Sequence, residues 1–256
     1  MNDIINANHR IKDPDYVAQC RAQLEADGAL VLDGFFSADA IEQIVTESLA
    51  QREHVFYAGS THNVYLTEPN PDLSKNHPFN RQVLSTKGLI ADDQISFGSP
   101  LRTVYDDPAF RSFLAGVLGI NHVYPYADHV SSINVHFADA GRELGWHFDN
   151  SAFAVTMLLQ APAAGGVFEY VPAVRTAETG DMAFDRVGAV LDGTEEVQRL
   201  HFTPGALVLF RGRDALHRVT PVEGDTTRLL VVFAYNEEPG ITLSESARAT
   251  FYGRND

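Results

Sequence analysis

Two stretches decide the fold of this chain: SSINVHF at residues 131–137 and LGWHFD at residues 144–149. In the first stretch, apolar Ile133, Val135 and Phe137 alternate with polar residues, which is the pattern of a strand with one apolar and one polar face. In the second stretch, a histidine and an aspartate stand two positions apart. On a strand, that spacing points both side chains to the same face.

More short strands are predicted around these stretches, separated by glycine and proline. They predict a mainly β fold with flanking helices, a double-stranded β-helix of the jelly-roll, cupin-like kind. We expect a single domain over residues 1–256, with a helical N-terminal support over about 1–120 and a jelly-roll core over about 121–236. A polar insertion at about 172–203 and the region of Arg81 are candidate lids, because long connections are often functional.

Composition narrows the classes of partner. The formal net charge of −15 disfavours nucleic acid, and no basic run or long apolar segment indicates a membrane. Cys20 is the single cysteine, so an internal disulfide and a thiolate metal site are excluded. With no signal peptide evident, we expect a cytoplasmic protein that binds a small molecule, and the oligomeric state stays open.

His147 and Asp149 form a candidate metal site, for which His217 is the best third ligand because it begins a short strand 70 residues after His147. Two histidines and one carboxylate are the facial triad of non-haem Fe(II) oxygenases. Three protein ligands on one face leave room for a chelating oxo-acid and for O2. A His-x-Asp pair by itself is a weak signal.

Arg228 opens the apolar run LLVVF at residues 229–233. A guanidinium there is costly to bury without an anion, and the distal carboxylate of 2-oxoglutarate would supply one. The alternative is an exposed strand start that pairs with a surface acid. Asn134 and His136 share one strand face and are candidates to contact the cosubstrate. For them, a satisfied polar pair in the core is an equally good interpretation.

Several runs resemble the 2-oxoglutarate-dependent enzymes that include the free-amino-acid radical halogenases and their hydroxylase relatives. The runs are LGWHFDNS at 144–151, FAVTMLLQ at 153–160, GGVFEY at 165–170, HPFNR at 77–81 and STKGLIADD at 85–93. The resemblance covers about residues 77–236. It implies a jelly roll that binds Fe(II), 2-oxoglutarate and O2.

The resemblance also separates two activities. In the halogenases a glycine replaces the carboxylate ligand, and chloride binds the iron in its place. Asp149 stands at that position here, which implies a hydroxylase.

The resemblance further implies a free amino acid as substrate, with lysine as the first guess, although no acidic residue that would hold its ammonium group can be identified. The candidate substrate-binding residues are Arg81, Asn150, Asn236 and Tyr252. Asn236 and Tyr252 also fit a plain surface or packing role, and Arg81 also fits a surface salt bridge.

We therefore predict hydroxylation of an unactivated C–H bond of a small molecule, with release of succinate and CO2. Three alternatives are open: a halogenase or desaturase on the same scaffold, a non-catalytic metal-binding protein of the cupin type, and a β-sandwich interaction module without a metal.

Overall fold

A computed structural model describes residues 3–254, the side chain of Ser246 excepted. Six helices are present in this part of the chain: α1 (Pro14–Asp27), α2 (Ala38–Ala50), α3 (Pro100–Asp106), α4 (Pro108–Leu118), α5 (Phe184–Leu191) and α6 (Glu245–Tyr252). None of the helices described is long and apolar enough to cross a membrane.

Fifteen strands accompany them in the same part of the chain. They are β1 (Ala29–Leu32), β2 (Phe56–His62), β3 (Val83–Ile90), β4 (Tyr124–Pro125), β5 (Ile133–Ala138), β6 (Leu144–His147), β7 (Ala154–Gln160), β8 (Ala164–Gly165), β9 (Phe168–Val171), β10 (Gln198–Leu200), β11 (Leu207–Phe210), β12 (Leu216–Val219), β13 (Val222–Glu223), β14 (Arg228–Phe233) and β15 (Tyr235–Asn236).

The strands form the double-stranded β-helix that the sequence predicts. One sheet has the order β1-β11-β7-β14-β5, the facing sheet has the order β6-β12-β9-β10, and the pairings are antiparallel. Strand β3 joins the two sheets, because its C-terminal half pairs with β5 while Ser85 pairs with Leu144 of β6. The space between the sheets is therefore closed along that side.

Two of the predicted segments contribute strands to the sheets. The region 1–120 is more than a helical support, since β1 and β3 extend the barrel sheets. The insertion predicted at 172–203 ends in β10, which pairs with β9 through Gln198–Tyr170 and Leu200–Phe168, so its last part belongs to the sheet. With three residues, β10 is too short for the hydrophobic alternation to reveal it.

The main hydrophobic core lies on the outer face of the larger sheet, where the N-terminal helices cover it. Ile133, Val135 and Phe137 of β5 are fully buried there, as the alternation predicts. Phe110 of α4 packs against Phe233 of β14 with ring centroids 6.0 Å apart. The helices thus hold one face of the sheet rigid, and the opposite face is free to line a cavity.

Phe110→Ala tests this arrangement. Its side chain is fully buried, so the truncation should lower the free energy of unfolding by about 3–5 kcal/mol, as expected for a large core cavity. Urea unfolding measures the change. Phe97, which is 94% exposed, gives the matched control, and Phe97→Ala should stay within about 0.5 kcal/mol of the parent. Equal effects of the two substitutions would contradict the assigned core.

Candidate metal centre and its cavity

His147 and His217 face each other across two paired strands. They are direct partners in the antiparallel register of β6 and β12, and their ring centroids lie 4.2 Å apart. Directly opposed residues of antiparallel strands have Cβ atoms only about 4.5–5.5 Å apart. Sheet register therefore brings together two imidazoles that lie far apart in sequence.

Backbone carbonyls fix the tautomer of both rings. The Nδ1 atom of His147 lies 2.8 Å from the carbonyl oxygen of Gly145, and Nδ1 of His217 lies 3.0 Å from that of Ala215. A carbonyl only accepts, so each Nδ1 must carry the proton. Each Nε2 then presents a lone pair to the space between the rings, which is the arrangement of metal-binding histidines.

Asp149 completes the group from the loop after β6. Its Oδ1 atom lies 3.7 Å from Nε2 of His147 and 3.5 Å from Nε2 of His217, and Oδ2 is buried without a hydrogen-bond partner. The backbone holds this loop, since the Asp149 amide donates to the carbonyl of Gly212. A Cβ atom on Gly212 would overlap Asp149 Oδ2, so the carboxylate needs a glycine there.

The electrostatics of the three groups suit a cation. Burial, reinforced by the charge of His217, lowers the pKa of His147 to about 3, so that imidazole is neutral near pH 7. Burial opposes ionisation of Asp149, but the nearby imidazoles outweigh it and lower the pKa of that carboxyl. One donor atom of each residue lies within 4.8 Å of the others. Two imidazoles that present Nε2 to the same space, together with a carboxylate whose Oδ2 has no hydrogen-bond partner, fit a divalent metal such as Fe(II).

The three side chains open into a cavity of about 350 Å³ between the two sheets. Arg228 lines it from β14 and is 6% exposed. Burial lowers the pKa of its guanidinium to about 10, and no anionic partner is found for it among the described residues. His136 lines the cavity from β5. Burial, with Lys87 and Arg228 nearby, holds its pKa well below the usual value, so it is neutral.

Of the four residues predicted to contact the substrate, one reaches this cavity. Tyr252 of α6 lines it and donates a hydrogen bond to Oδ1 of Asn134, which also lies in the wall. The Asn134 amide nitrogen donates to the carbonyl of Ser131 at 2.8 Å. Helix α6 thus covers one side of the cavity, far in sequence from the metal centre.

The structure places Arg81, Asn150 and Asn236 away from the cavity wall. The Arg81 guanidinium pairs with Asp192 at 2.6 Å and donates to the carbonyl of Leu191. Asn150 is exposed and accepts from Arg213 through its carbonyl. The buried amide nitrogen of Asn236 has no hydrogen-bond partner, but it lies outside the lining. None of the three is brought to the metal centre.

Sequence reasoning missed Lys87 and Gly212. Lys87 lines the cavity from β3, and a lysine in the middle of a strand with apolar ends, VLSTKGLI, was the available signal. Gly212 gave no signal, because its role depends on the position of Asp149 after folding.

Solved structures show the same fold at low sequence identity. A prolyl hydroxylase from Trichoplax adhaerens, in complex with a hypoxia inducible factor peptide, has a TM-score of 0.59 at 13% identity, over 93% of this chain and 96% of that chain. A 2OG-Fe(II) oxygenase family oxidoreductase from Burkholderia pseudomallei has a TM-score of 0.55 at 13% identity, over 88% of this chain and 93% of that chain.

The epimerase SnoN from nogalamycin biosynthesis has a TM-score of 0.58 at 16% identity, over 87% of this chain and 81% of that chain. A second SnoN structure is a complex with Fe3+ and α-ketoglutarate. Among curated protein sequences, none matches this chain.

A family model described as halogenase D matches residues 12–250. This match, the fold and the His-Asp-His donor set define a non-haem iron enzyme of the class that uses Fe(II), 2-oxoglutarate and O2. The chain belongs to the halogenase D family.

Gly212→Ala tests the position of Asp149. The added methyl group should displace the carboxylate and weaken Fe(II) binding by about 10–100-fold, the range for groups that orient a metal ligand. Anaerobic metal titration measures the affinity. Gly98→Ala is the matched control, because a Cβ atom there is unhindered. Unchanged Fe(II) affinity in Gly212→Ala would show that Asp149 is not held against this glycine.

Proposed function

We propose that the protein hydroxylates an unactivated C–H bond of a small molecule and releases succinate and CO2. The observation that supports this is the carboxylate of Asp149 beside the two imidazoles, with Gly212 leaving room for it. A carboxylate and a chloride ion cannot occupy one coordination position. A protein that keeps Asp149 therefore has no position for a halide at that ligand site.

Halogenation is the second candidate, since the matching family model is described as a halogenase. It would require chloride to bind the iron beside all three protein ligands, at a position that 2-oxoglutarate or O2 needs. We therefore favour hydroxylation, and the presence or absence of chloride distinguishes the two activities in a single assay.

Different residues of the cavity would bind the metal and the cosubstrate. Bound Fe(II), with 2-oxoglutarate and O2, supplies the oxidising power for C–H cleavage. His147, Asp149 and His217 would hold the metal on one side and leave its other side open to the cavity. Arg228 would bind the distal carboxylate of 2-oxoglutarate, because its buried guanidinium lacks an anion. The neutral ring of His136 offers a polar contact beside it.

Cavity size favours a small substrate. Its volume of about 350 Å³ is near the lower end of the range for ligand sites, about 300–1,000 Å³, and 2-oxoglutarate would take part of it. A free amino acid, as the sequence resemblance implies, would fit the remaining space. Asn134 and Tyr252 are the polar groups best placed to orient it.

The test is anaerobic reconstitution with Fe(II) and 2-oxoglutarate, followed by O2 and mass spectrometry against a panel of free amino acids and small carboxylic acids. We expect one member to gain one oxygen atom, with succinate formed in equal amount, whether or not chloride is present. A chlorinated product would establish the alternative. Absence of both products, with no coupled succinate, would refute an oxygenase reaction on these compounds.

Asp149→Gly should abolish hydroxylation, because the metal loses its only negatively charged protein ligand. The same mass-spectrometric assay, run with and without chloride, measures this. Asp72→Gly, which alters an exposed aspartate, is the control and should keep full activity. Full hydroxylation by Asp149→Gly would disprove the ligand assignment.

Arg228→Met should weaken 2-oxoglutarate binding by about 2–5 kcal/mol, since one partner of a buried charge pair is removed. Calorimetric titration of the anaerobic Fe(II) enzyme with 2-oxoglutarate gives the affinity. The Fe(II) affinity should be unchanged, which separates loss of the anchor from loss of the metal. An unaltered 2-oxoglutarate affinity would place the anchor elsewhere.

A further inference from the structure

The cavity holds a second cation that the proposed reaction does not use. Lys87 projects from β3, and its ammonium group lies 5.3 Å from the ring centroid of Phe251 in α6. No hydrogen bond or ion pair to this ammonium group occurs within the described residues. A cation taken out of water without an anion is costly, so a partner is expected to come from outside the chain.

Charge balance shows what kind of partner is missing. Asp149 is the one carboxylate among the described residues that line the cavity. The positive charges come from Lys87, Arg228 and a divalent metal, and the negative charges come from Asp149 and the two carboxylates of 2-oxoglutarate. The positive charges outnumber the negative charges by one. A substrate with a negative charge would neutralise the site, whereas lysine, with its net positive charge, would add to the excess.

Lys87 and Arg228 line the cavity from the two strands that flank β5. Arg228 pairs with Ala138 of β5 from the β14 side, whereas Gly88, next to Lys87, pairs with Phe137 of β5 from the β3 side. One intervening strand separates their backbones by about 9–10 Å. The ammonium group of Lys87 interacts electrostatically with the carboxylate of Asp149. For Arg228, burial is the one cause of the lowered pKa, and no interaction with Asp149 contributes. Lys87 is therefore the cation nearer to the metal, where a reacting substrate must lie.

We propose that Lys87 binds a carboxylate of the substrate, so that the enzyme selects small carboxylic acids, amino acids included, that carry no net positive charge. The proposal rests on the proposed function. The apolar residues that line the same cavity, Phe153, Phe202, Leu243 and Phe251, would contact the rest of the molecule. Lysine, the first guess from the sequence, is excluded by this selection.

The charge state of Lys87 gives the site a characteristic pH dependence. Burial lowers its pKa to about 8, so the ammonium form, which binds a carboxylate, is lost as the pH rises through 8. The facing groups keep their charge between pH 7 and 9. His136 stays neutral, Arg228 stays protonated with its pKa of about 10, and Asp149 stays ionised. Tyr126 and Tyr252, whose pKa values burial raises, stay neutral.

The experiment measures binding calorimetrically, in the anaerobic enzyme loaded with Fe(II) and 2-oxoglutarate. The probes are pentanoate and glutamate as anions, glutamine as a zwitterion and lysine as a cation. We expect an anion to bind most tightly and lysine not to bind. Binding of the best probe should weaken above pH 8, and Lys87→Arg should keep the binding up to pH 9, since arginine stays charged.

Lys87→Met should lower the affinity for the best probe by about 30-fold or more and leave the affinity for 2-oxoglutarate unchanged. Lys75→Met, at an exposed lysine, is the matched control. Thermal unfolding verifies that each variant is folded, and Lys87→Arg preserves the charge if the methionine variant is unstable.

Two results would overturn the assignment. One is tighter binding of lysine than of any other probe, and the second is a loss of 2-oxoglutarate affinity in Lys87→Met with substrate affinity intact. Either result would leave the proposed function standing, because it concerns the identity of the substrate contact. Failure to form succinate and an oxygenated product with any compound would instead remove the proposed function itself.

Discussion

The register of one pair of strands is the constraint on which the site depends. β6 and β12 pair so that His147 and His217 stand directly opposite each other. A slip of one residue would turn one imidazole to the other face and destroy the site. The register is secured from both sides of the pair: β3 holds β6, and β9 holds β12, where buried Glu169 is bonded to Arg218 and Arg199. β3 and β9 therefore help to position the metal ligands, although they supply none themselves.

A second constraint is the division of the larger sheet into two faces. Along β5, alternate residues enter the apolar core under the helices, while Asn134 and His136 enter the cavity. The packed face fixes the positions of the strands. The opposite face carries two cationic side chains that have no anionic partner among the described residues. Burial of the apolar core offsets the cost of placing Lys87 and Arg228 in the cavity. We propose that these same unpaired charges select the ligands of the protein.

The sequence predicted the parts of the molecule that depend on local patterns. Alternation in β5 predicted a strand of the β fold, and the His-x-Asp spacing predicted two of the donor residues, because strand geometry maps spacing onto faces. The third donor, His217, was predicted from its place at the start of a short strand. The predictions for Arg81, Asn150 and Asn236 rested on proximity in sequence or on resemblance, and the structure brings none of them to the cavity. Lys87 and Gly212 depend on strands and loops that meet only after folding. Short strands such as β10 have too few residues for an alternation of apolar and polar side chains to be recognised.

The contact between Gly212 and Asp149 makes the order of evolutionary change matter. While the carboxylate is present, position 212 admits no side chain. Once the aspartate is shortened to glycine, the two closest contacts of that Cβ atom disappear, and the contact with His217 Cε1 at 3.0 Å remains. If alanine became fixed at position 212, restoring the aspartate would bring its carboxylate into a clash with the alanine methyl group. The order in which positions 149 and 212 change is therefore restricted: a side chain can enter position 212 only after the aspartate has gone.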